Sequence, residues 1–452
     1  MRTNIYSIEN LSFAYPYANN TLKFKGIINI KQGDVILIKG KSGSGKSTLL
    51  KILKGLIPET IYGSLKGKIQ FKQEDITKLS NLEMTKIGYL FQNPNSQMLN
   101  RTVKQELAFG LENLQKDRNQ IIHKIDSYAG KFDINHLLSR NVTELSGGEK
   151  QKIALISILM MEPEVLLFDE PTAFLDPDSA EHFIEIFKQI VHQKTIVIVE
   201  HNIHYLKKYV NRLFTLKNGY LTEENPTKAL KSKPYPVVRK NPGNQIILQV
   251  KNLVFAYKKE RKILNKLNFK LKKAEIVGII GKNGAGKTTF LNILSRILKK
   301  YKGSIYFKGK NIKNIKKHEY YQNLTLLMQN PENHFLFNSV REEVENNKSV
   351  LARLGLENLE ARNPFTLSTG EQRRLSLAIL LNLAREVFLW DEPTFAQDRD
   401  NKDKLIKIIL EMQTRGKTFI LVSHDIAFLE AICSKIYRLE NGKLENYAEK
   451  QN

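Results

Sequence analysis

Short runs of apolar residues recur along the chain and predict buried β-strands. Residues 165–168 (VLLF) and 195–199 (TIVIV) form two such runs in the first half, and residues 387–390 (VFLW) and 418–422 (TFILV) match them in the second half. Runs of this length, bounded by polar residues, are typical of strands that a parallel sheet buries on both faces. Segments between them, such as residues 48–56, place leucine and isoleucine at helical spacing. The alternation predicts an α/β fold with crossover helices.

The two halves carry the same motifs in the same order, which predicts a tandem repeat of one domain. Lys46 and Lys287 hold matching places 241 residues apart, whereas Ser146 and Ser368 are 222 residues apart. Most of this difference, 15 residues, arises between a matching glutamine and the serine of each half, in an interval whose pattern is mostly helical. We therefore expect the second copy to have the shorter helical part.

Proline and lysine interrupt the apolar pattern between the two copies. Residues 223–245 contain four prolines and little apolar periodicity, which is typical of a linker. We expect a first domain over residues 1–222, this linker, and a second domain over residues 246–452. At about 3.3 Å per extended residue, a linker of about 23 residues reaches roughly 75 Å, which allows two domains of one chain to face each other.

The chain is strongly basic, with a formal charge of +25 over 452 residues. Its lysines are scattered through both halves, so the charge fits a nucleic-acid partner, an anionic membrane surface or a lysine-biased composition. The single cysteine, Cys433, excludes a disulfide framework and any zinc or iron–sulfur cluster built mainly on cysteine. No apolar run approaches the roughly 18 to 20 residues that cross a bilayer, and the first residues lack a signal-peptide core, so we expect a cytoplasmic location.

Each copy contains the glycine-rich pattern GxxxxGK[ST], at residues 40–47 and residues 281–288. The N–H groups of such a loop converge on phosphate oxygens, and the helix that follows presents its positive end to the same anion. We expect the lysines to contact the β- and γ-phosphates and the hydroxyl residues after them to bind Mg²⁺. The predicted nucleotide-binding residues are Gly40, Ser42, Gly43, Gly45, Lys46, Ser47 and Thr48 in the first copy, and Gly281, Asn283, Gly284, Gly286, Lys287, Thr288 and Thr289 in the second.

A pair of adjacent acids ends an apolar run in each copy. Asp169 and Glu170 follow VLLF, Asp391 and Glu392 follow VFLW, and Pro-Thr comes next in both places. We expect each aspartate to belong to the Mg²⁺ shell and each glutamate to act as a base or an orienting group for the attacking water.

The segments LSGGEKQ, at residues 145–151, and LSTGEQR, at residues 367–373, each lead into an apolar-faced helix. Ser146 with Glu149, and Ser368 with Glu371, have the spacing of a capping box, which predicts that a helix starts at each serine. A capped helix start beside small residues is also an anion site, so these segments are candidates for contact with a γ-phosphate.

These motifs together resemble those of a tandem ABC ATPase, in which two nucleotide-binding domains are fused head to tail. The resemblance covers nearly all of the chain outside the linker. It implies two P-loop NTPase domains of α/β class, each with a RecA-like core, a β-rich N-terminal subdomain and a helical subdomain. It also implies an ATP hydrolase that uses ATP and Mg²⁺ and closes its two domains over two ATP molecules, the P-loop of one facing the signature segment of the other.

The resemblance assigns a role to each matching residue. The implied residues are the adenine-stacking Tyr15 and Tyr257, the loop glutamines Gln92 and Gln329, the signature residues Ser146, Gly147, Gly148, Ser368, Thr369 and Gly370, the catalytic Glu170 and Glu392, the switch histidines His201 and His424, and the cross-interface Asp176 and Asp398. The implied magnesium ligands are Ser47, Gln92 and Asp169 in the first copy and Thr288, Gln329 and Asp391 in the second.

One residue departs from the family pattern. Thr369 occupies a signature position where the family has glycine, and a β-branched residue restricts the backbone where close approach to phosphate is expected. In a head-to-tail pair this signature faces the first P-loop. We predict that both sites hydrolyse ATP and that the site containing Lys46 is the slower one.

The sequences around the loop glutamines favour transport. Residues 91–97 (FQNPNSQ) and residues 328–333 (MQNPEN), together with the FAY segments, resemble the ATPases of energy-coupling factor importers for vitamins and metal ions. That resemblance implies a peripheral protein on the cytoplasmic face of the cell membrane. Its expected partners are an integral membrane coupling protein and a substrate-binding membrane subunit, and no nucleic acid. A fused pair is similar to the variant linked to uptake of a thiamine precursor.

Two alternatives remain open at this point. Tandem ATPases of sugar importers share the domain number but typically lack the QNP pattern. Soluble ABC proteins that act on the ribosome would suit the positive charge, but they carry a long helical inter-domain arm, and the iron–sulfur recycling factor needs cysteines that this chain lacks. The shortened helical part has two readings as well: the two halves contact different coupling elements of the membrane subunits, or a surface segment has been trimmed without effect.

Overall fold

The computed structural model describes residues 3–16, 22–41, 43–173, 175–200, 203, 205–229, 235, 243–257 and 262–447. Within these residues the strands are β1 (Asn4–Ala14), β2 (Leu22–Lys31), β3 (Val35–Gly40), β4 (Ser64–Phe71), β5 (Glu74–Asp75), β6 (Ile87–Leu90), β7 (Val165–Asp169), β8 (Thr195–Val199), β9 (Arg212–Lys217), β10 (Tyr220–Glu224), β11 (Ile246–Ala256), β12 (Lys262–Lys272), β13 (Ile276–Ile280), β14 (Lys302–Phe307), β15 (Lys310–Asn311), β16 (Leu324–Leu327), β17 (Val387–Asp391), β18 (Thr418–Val422), β19 (Lys435–Glu440) and β20 (Lys443–Asn446).

The helices of the described residues are α1 (Lys46–Leu53), α2 (Asn81–Met84), α3 (Val103–Asn113), α4 (Arg118–Lys131), α5 (Gly147–Met160), α6 (Pro177–Ile190), α7 (Pro226–Ala229), α8 (Lys287–Leu294), α9 (Lys317–Asn323), α10 (Val340–Glu343), α11 (Lys348–Leu354), α12 (Thr369–Asn382), α13 (Arg399–Thr414) and α14 (Ile426–Ile432). None of these helices is long and apolar enough to cross a membrane.

The chain forms two compact units, Met1–Ser232 and Lys233–Asn452. In the first unit, strands β6, β7, β8, β3 and β9 lie side by side and parallel, and β10 pairs antiparallel with β9. The antiparallel strands β2, β1, β4 and β5 continue the sheet from β10, where Tyr220 pairs with Lys25. Because β3, β7 and β8 are parallel neighbours, the loops that follow them meet at one edge of the sheet.

The second unit repeats this strand order in two sheets. Strands β16, β17, β18, β13 and β19 are parallel, β20 is antiparallel at the edge, and β12, β11, β14 and β15 form a separate antiparallel sheet. The predicted fold, two tandem P-loop α/β domains with crossover helices, is confirmed.

The parallel strands are apolar throughout because each lies between two cores. In β3, Val35 and Leu37 pack with the helices on one face, whereas Ile36 and Ile38 pack with α1 and the antiparallel strands on the other. All five residues of β7, β8, β17 and β18 are buried. Burial on both faces explains why the sequence shows continuous apolar runs there rather than alternation.

The interval between glutamine and serine is helical in both units, and the second copy is shorter, as predicted. Helices α3 and α4 have 11 and 14 residues, while their counterparts α10 and α11 have 4 and 7. The shortening therefore removes part of both helices.

The connection between the units is only partly described. Strand β10 extends to Glu224 and α7 spans Pro226–Ala229, so the first residues of the predicted linker have regular structure. Tyr235 is buried, and the guanidinium of Arg399 lies 3.3 Å from the centre of its ring. The domain boundaries at residues 222 and 246 remain a prediction.

Candidate functional site

A glycine loop joins the central strand to a helix in each unit. Gly45 and Gly286 precede α1 and α8 with φ of 97° and 102°, in the left-handed region that favours glycine. A Cβ atom on Gly286 would lie 2.7 Å from Cγ2 of Ile263, so no larger residue fits without displacing its neighbour. The glycines therefore allow the sharp entry into each helix, whose first N–H groups are the anion site of a P-loop.

The ammonium group of each P-loop lysine forms hydrogen bonds with main-chain carbonyl groups of the same loop. Lys46 Nζ donates hydrogen bonds to the carbonyl oxygens of Gly40 and Lys41 at 2.8 and 2.9 Å. Lys287 Nζ makes the same two bonds, to Gly281 and the next carbonyl, at 2.6 and 3.0 Å. Both lysines are buried, which places a desolvated positive charge where the sequence predicts the phosphates.

The predicted magnesium ligands after these lysines lie beside the predicted aspartates. Ser47 Oγ donates to Asp169 Oδ1 at 2.9 Å, and Thr288 Oγ1 donates to Asp391 Oδ2 at 2.6 Å. Burial raises the pKa of Asp169, and it raises the pKa of Asp391 to about 6. Hydroxyl and carboxylate oxygens that already lie together are the hard donors that Mg²⁺ prefers, and a divalent cation would relieve the cost of burying the carboxylates.

The two predicted catalytic glutamates share an unusual backbone. Glu170 and Glu392 have φ of 47° and 52°, and their N–H groups donate to Val199 and Val422 of the neighbouring strands, both at 2.8 Å. A non-glycine residue in the left-handed region costs free energy and is held there by the surrounding structure. This conformation recurs in both units, so the fold positions each glutamate in the same way.

In the second unit the predicted switch histidine contacts the glutamate. His424 Nε2 lies 3.4 Å from Glu392 Oε1, and the His424 N–H donates to Glu392 Oε2 at 3.2 Å. Burial raises the pKa of Glu392 to about 7, which is suited to a base at neutral pH. The predicted residues His201 and Ser42 lie outside the described residues.

The two loop glutamines are placed differently. Gln92 Nε2 donates to Glu170 Oε2 at 2.9 Å, so the first glutamine holds the predicted catalytic glutamate. Gln329 is exposed, and among the described residues no hydrogen bond joins its side chain to Glu392. The structure therefore brings this pair together in the first unit only.

The predicted adenine-stacking tyrosines are tied to the helix after the P-loop. The hydroxyls of Tyr15 and Thr48 lie 3.0 Å apart, and those of Tyr257 and Thr289 lie 3.2 Å apart. The ring of Tyr15 also meets Phe13 edge on at 4.6 Å. Because Tyr257 is 63% exposed, most of its ring is free to meet a base.

Both predicted capping boxes are confirmed. Ser146 accepts the N–H of Glu149 at 3.2 Å and Ser368 accepts that of Glu371 at 3.4 Å, while each glutamate accepts the serine N–H in return. Thr369 is the first residue of α12 and has an ordinary helical backbone, as Gly147 has in α5. The two signature segments differ here in an exposed side chain, and the expected effect of Thr369 on the approach to phosphate stays a prediction.

The remaining signature and interface residues are close to helix starts. A Cβ on Gly148 would lie 2.2 Å from Ser179 Oγ, which explains glycine there, while Gly370 is buried. Asp176 and Asp398 cap α6 and α13, accepting the N–H of Ser179 and of Asn401 at 2.9 Å. Their predicted role across a domain interface stays a prediction.

Sequence reasoning missed two residues of the first site. Tyr89 donates its hydroxyl to Asp169 Oδ2 at 3.0 Å, and buried Glu200 accepts the N–H and the hydroxyl of Thr172 at 3.1 and 2.7 Å. The second unit has Leu326 and Ser423 at the matching places. A comparison of the two halves position by position would have singled out both differences.

The pKa of Glu392 gives a pH dependence for the second site. In a Glu170→Gln variant we expect kcat/KM for ATP to rise with pH and to level off above about pH 7, because a protonated Glu392 cannot accept a proton from water. Steady-state kinetics from about pH 6 to pH 8 would measure the rise, with ATP binding followed in parallel as the control. A flat profile would contradict this role for Glu392.

The fold and the glycine loops define each unit as a P-loop nucleotide-binding domain. The family model described as ABC transporter matches residues 27–173 and 264–395, and so covers more than half of the chain. The chain belongs to this family of ATP-binding proteins, and it is an ATPase.

Relatives match over nearly the whole length. The provisionally named HMP/thiamine import ATP-binding protein YkoD of Bacillus subtilis is 29% identical over 97% of this chain and 90% of its own. A provisionally named ABC transporter ATP-binding protein of Sulfurisphaera tokodaii is 32% identical over 98% of this chain and 97% of its own. A solved structure of an archaeal ribosome recycling factor with an archaeal ribosomal stalk protein is 19% identical, with a TM-score of 0.67, over 98% of this chain and 91% of that chain. That last likeness shows the fold alone.

Proposed function

We propose that the chain is the ATP-hydrolysing motor of an importer of the energy-coupling factor type, for a vitamin such as a thiamine precursor or for metal ions. The observation that carries this proposal is the full-length similarity to an ATP-binding protein named for HMP/thiamine import. The two QNP segments support it, because each opens a loop that ends in exposed apolar residues.

The geometry of each P-loop supports binding of ATP with Mg²⁺. In this proposal Lys46 and Lys287 leave their loop carbonyls for phosphate oxygens, while Ser47 with Asp169, and Thr288 with its aspartate, hold the cation. Bound Mg²⁺ neutralises charge on the phosphates and so favours attack by water. The close hydroxyl and carboxylate pairs of 2.9 and 2.6 Å are the part of the site that fits the cation.

Hydrolysis needs a base beside the attacking water. We assign that role to Glu170 and Glu392, which the strained backbone holds in matching places. Gln92 orients the first glutamate and His424 the second. Each proposed base is therefore held by at least one neighbouring side chain.

Closure of the two domains completes each site in this proposal. The P-loop leaves one side of the γ-phosphate uncovered, and the capped starts of α5 and α12 are anion sites that suit that side. In a head-to-tail pair the start of α12, with Thr369, would cover the first P-loop, and hydrolysis would release the pair. A connection within one chain raises the effective concentration of the partner domain to the millimolar range.

Apolar residues after the glutamine loops suit a membrane partner. Leu99, Leu336 and Phe337 are 70%, 84% and 50% exposed. Buried Glu106 accepts the N–H of Leu99 at 3.0 Å, and Glu343 accepts those of Leu336 and Phe337 at 2.6 and 2.8 Å. The fold therefore holds these side chains outward, where we propose that they bind cytoplasmic segments of the membrane coupling protein.

The unequal helical parts extend this proposal. Since α10 and α11 are much shorter than α3 and α4, the two halves offer different surfaces beside their glutamine loops. We propose that they contact different elements of the membrane subunits. Crosslinks from both helical parts to equivalent membrane segments would show instead that the shortening is neutral.

Copurification tests the proposed function. The tagged chain, isolated from gently solubilised membranes of cells that express it, should bring down an integral membrane coupling protein and a substrate-binding membrane subunit. Ribosomes in place of membrane subunits would favour the alternative of a soluble ribosome-associated ATPase and overturn the importer proposal.

Charged substitutions test the docking residues. A Leu336→Arg/Phe337→Arg variant should bind the membrane subunits at least about 30-fold more weakly, since an interface anchor contributes about 2 kcal/mol or more. Ile297→Arg is the matched control, because Ile297 is 49% exposed in the same unit and lies outside the glutamine loop. Affinity measured by titration in detergent should fall for the first variant alone. Equal binding by both variants would contradict the assignment.

A further inference from the structure

Arg373 lies on α12 and is fully buried, with 0% of its surface exposed. Its guanidinium donates to the carbonyl oxygens of Met328 at 2.6 Å, Gln329 at 3.4 Å and Glu392 at 2.7 and 3.1 Å, and also to that of Asp391. The first two carbonyls belong to the glutamine loop and the last two to the turn that carries the catalytic glutamate. One side chain therefore joins two loops of the second site to the helix that starts at the signature segment.

Arg373 stays positively charged although its hydrogen-bond partners are uncharged main-chain carbonyl groups. Burial lowers its pKa to about 10, against the attraction of Asp391 and Glu392, so it is positive at neutral pH. A buried guanidinium is solvated only by the acceptors around it, and displacing either loop would remove some of them. These hydrogen bonds therefore oppose movement of the glutamine loop without movement of the turn that carries Glu392.

A second side chain, that of His334, forms a hydrogen bond with the same glutamine loop. His334 Nε2 accepts the N–H of Met328 at 2.9 Å, so that nitrogen carries no proton. Burial and the nearby Arg373 lower the pKa of His334 to about 4, which keeps the ring neutral. Two side chains thus hold the main chain of the loop at Met328 and Gln329.

The described part of the first unit shows no such bridge. Gln151 holds the place that matches Arg373, and it donates to the carbonyl oxygen of Pro171 at 3.2 Å. Its Oε1 is buried and has no hydrogen-bond partner among the described residues. In this unit Gln92 instead reaches Glu170 through its side chain. The two halves therefore connect the glutamine loop to the glutamate by different means.

We propose that Arg373 is a positioning residue that couples the glutamine loop of the second domain to the turn holding Glu392, so that a membrane partner moving the loop also moves the base. The inference rests on the proposed function of Glu392. It predicts that the two sites respond differently to the partner, because among the described residues a buried cation joins the main chains of the glutamine loop and the glutamate turn in the second site alone.

Variants that leave one site active test this coupling. With Glu170→Gln in place, Arg373→Gln should lower kcat at least about 10-fold with little change in the Kd for ATP, because a misplaced base affects hydrolysis more than binding. The matched control is Arg415→Gln with Glu170→Gln, because the side chain of Arg415 is 68% exposed in the same unit and lies outside the site. This control should change kcat less than about twofold.

The conservative variant separates positioning from a general loss of structure. Arg373→Lys keeps the positive charge, but an ammonium group cannot reach both loops as the planar guanidinium does, so this variant should also lower kcat with little change in the Kd for ATP. A folded Arg373→Gln variant with unchanged kcat would overturn the inference.

Hydrogen exchange provides a measurement that needs no hydrolysis. In Arg373→Lys, amides of residues 326–330 and 391–394 should exchange faster together, while the matching peptides of the first unit keep their rates. Faster exchange in only one of these segments, or in neither, would also overturn the coupling. If Glu170→Gln alone abolished hydrolysis, the proposed role of Glu392 would fail, and the exchange result would still decide the coupling.

Discussion

Replacing Glu392 with glutamine is expected to remove most of the ATP turnover of the chain, and replacing Glu170 is expected to remove the smaller part. In the proposed mechanism each change deletes the carboxylate that accepts a proton from the attacking water, and loss of such a base typically lowers a rate by about 10² to 10⁴ at its own site. The double variant should therefore retain at most about 1% of turnover. Phosphate release by purified protein under saturating ATP would measure all three variants.

The two losses should differ because, in the proposed head-to-tail pair, a different signature segment covers each P-loop. In such a pair the start of α12, with the exposed side chain of Thr369, would cover the phosphate at the first P-loop. The start of α5, with Gly147, would cover the phosphate at the second P-loop. Thr369→Gly in the Glu392→Gln background should therefore raise the remaining turnover. Unchanged turnover in Glu392→Gln together with abolished turnover in Glu170→Gln would contradict hydrolysis at both sites.

Loss of both P-loop lysines should prevent ATP binding. Each buried ammonium supplies charge-assisted hydrogen bonds, worth about 1.5 to 3 kcal/mol, so Lys46→Ala or Lys287→Ala should weaken its own site by roughly 10- to 150-fold. Calorimetric titration with ATP and Mg²⁺ should show one strong site in each single variant and none in the double variant.

The matched control for the lysine variants is Lys270→Ala. Lys270 is an exposed residue of β12 in the second unit, so its removal lowers the net charge equally without touching a P-loop. It should leave both affinities unchanged. Two strong sites in the double lysine variant would show that the loops do not bind phosphate.

The fold could be predicted because its causes are local. Apolar runs such as residues 195–199, glycines with a forced backbone such as Gly286, and the Ser146–Glu149 spacing each specify one conformation within a few residues. The shorter second helical part followed from the spacing of motifs. Predicting these features does not require knowing which residues far apart in the chain contact each other.

The sequence could indicate where the two sites differ, but it could not predict the contacts that these residues make, because the contacts join residues far apart in the chain. Tyr89 reaches Asp169 over 80 residues, and Arg373 reaches Met328 over 45. A single sequence shows that tyrosine and arginine are present, but only packing brings them to the carboxylate and to the loop.

The most direct measurement is the number of ATP molecules bound by one chain in the Glu170→Gln/Glu392→Gln variant, with the mass of the particle determined in the same sample. Because this variant should bind ATP and fail to hydrolyse it, the closed state should persist. We predict two ATP molecules in a particle with the mass of one chain. One ATP per chain, or two that are bound only in a particle of two chains, would contradict two ATP sites completed by closure within a single chain.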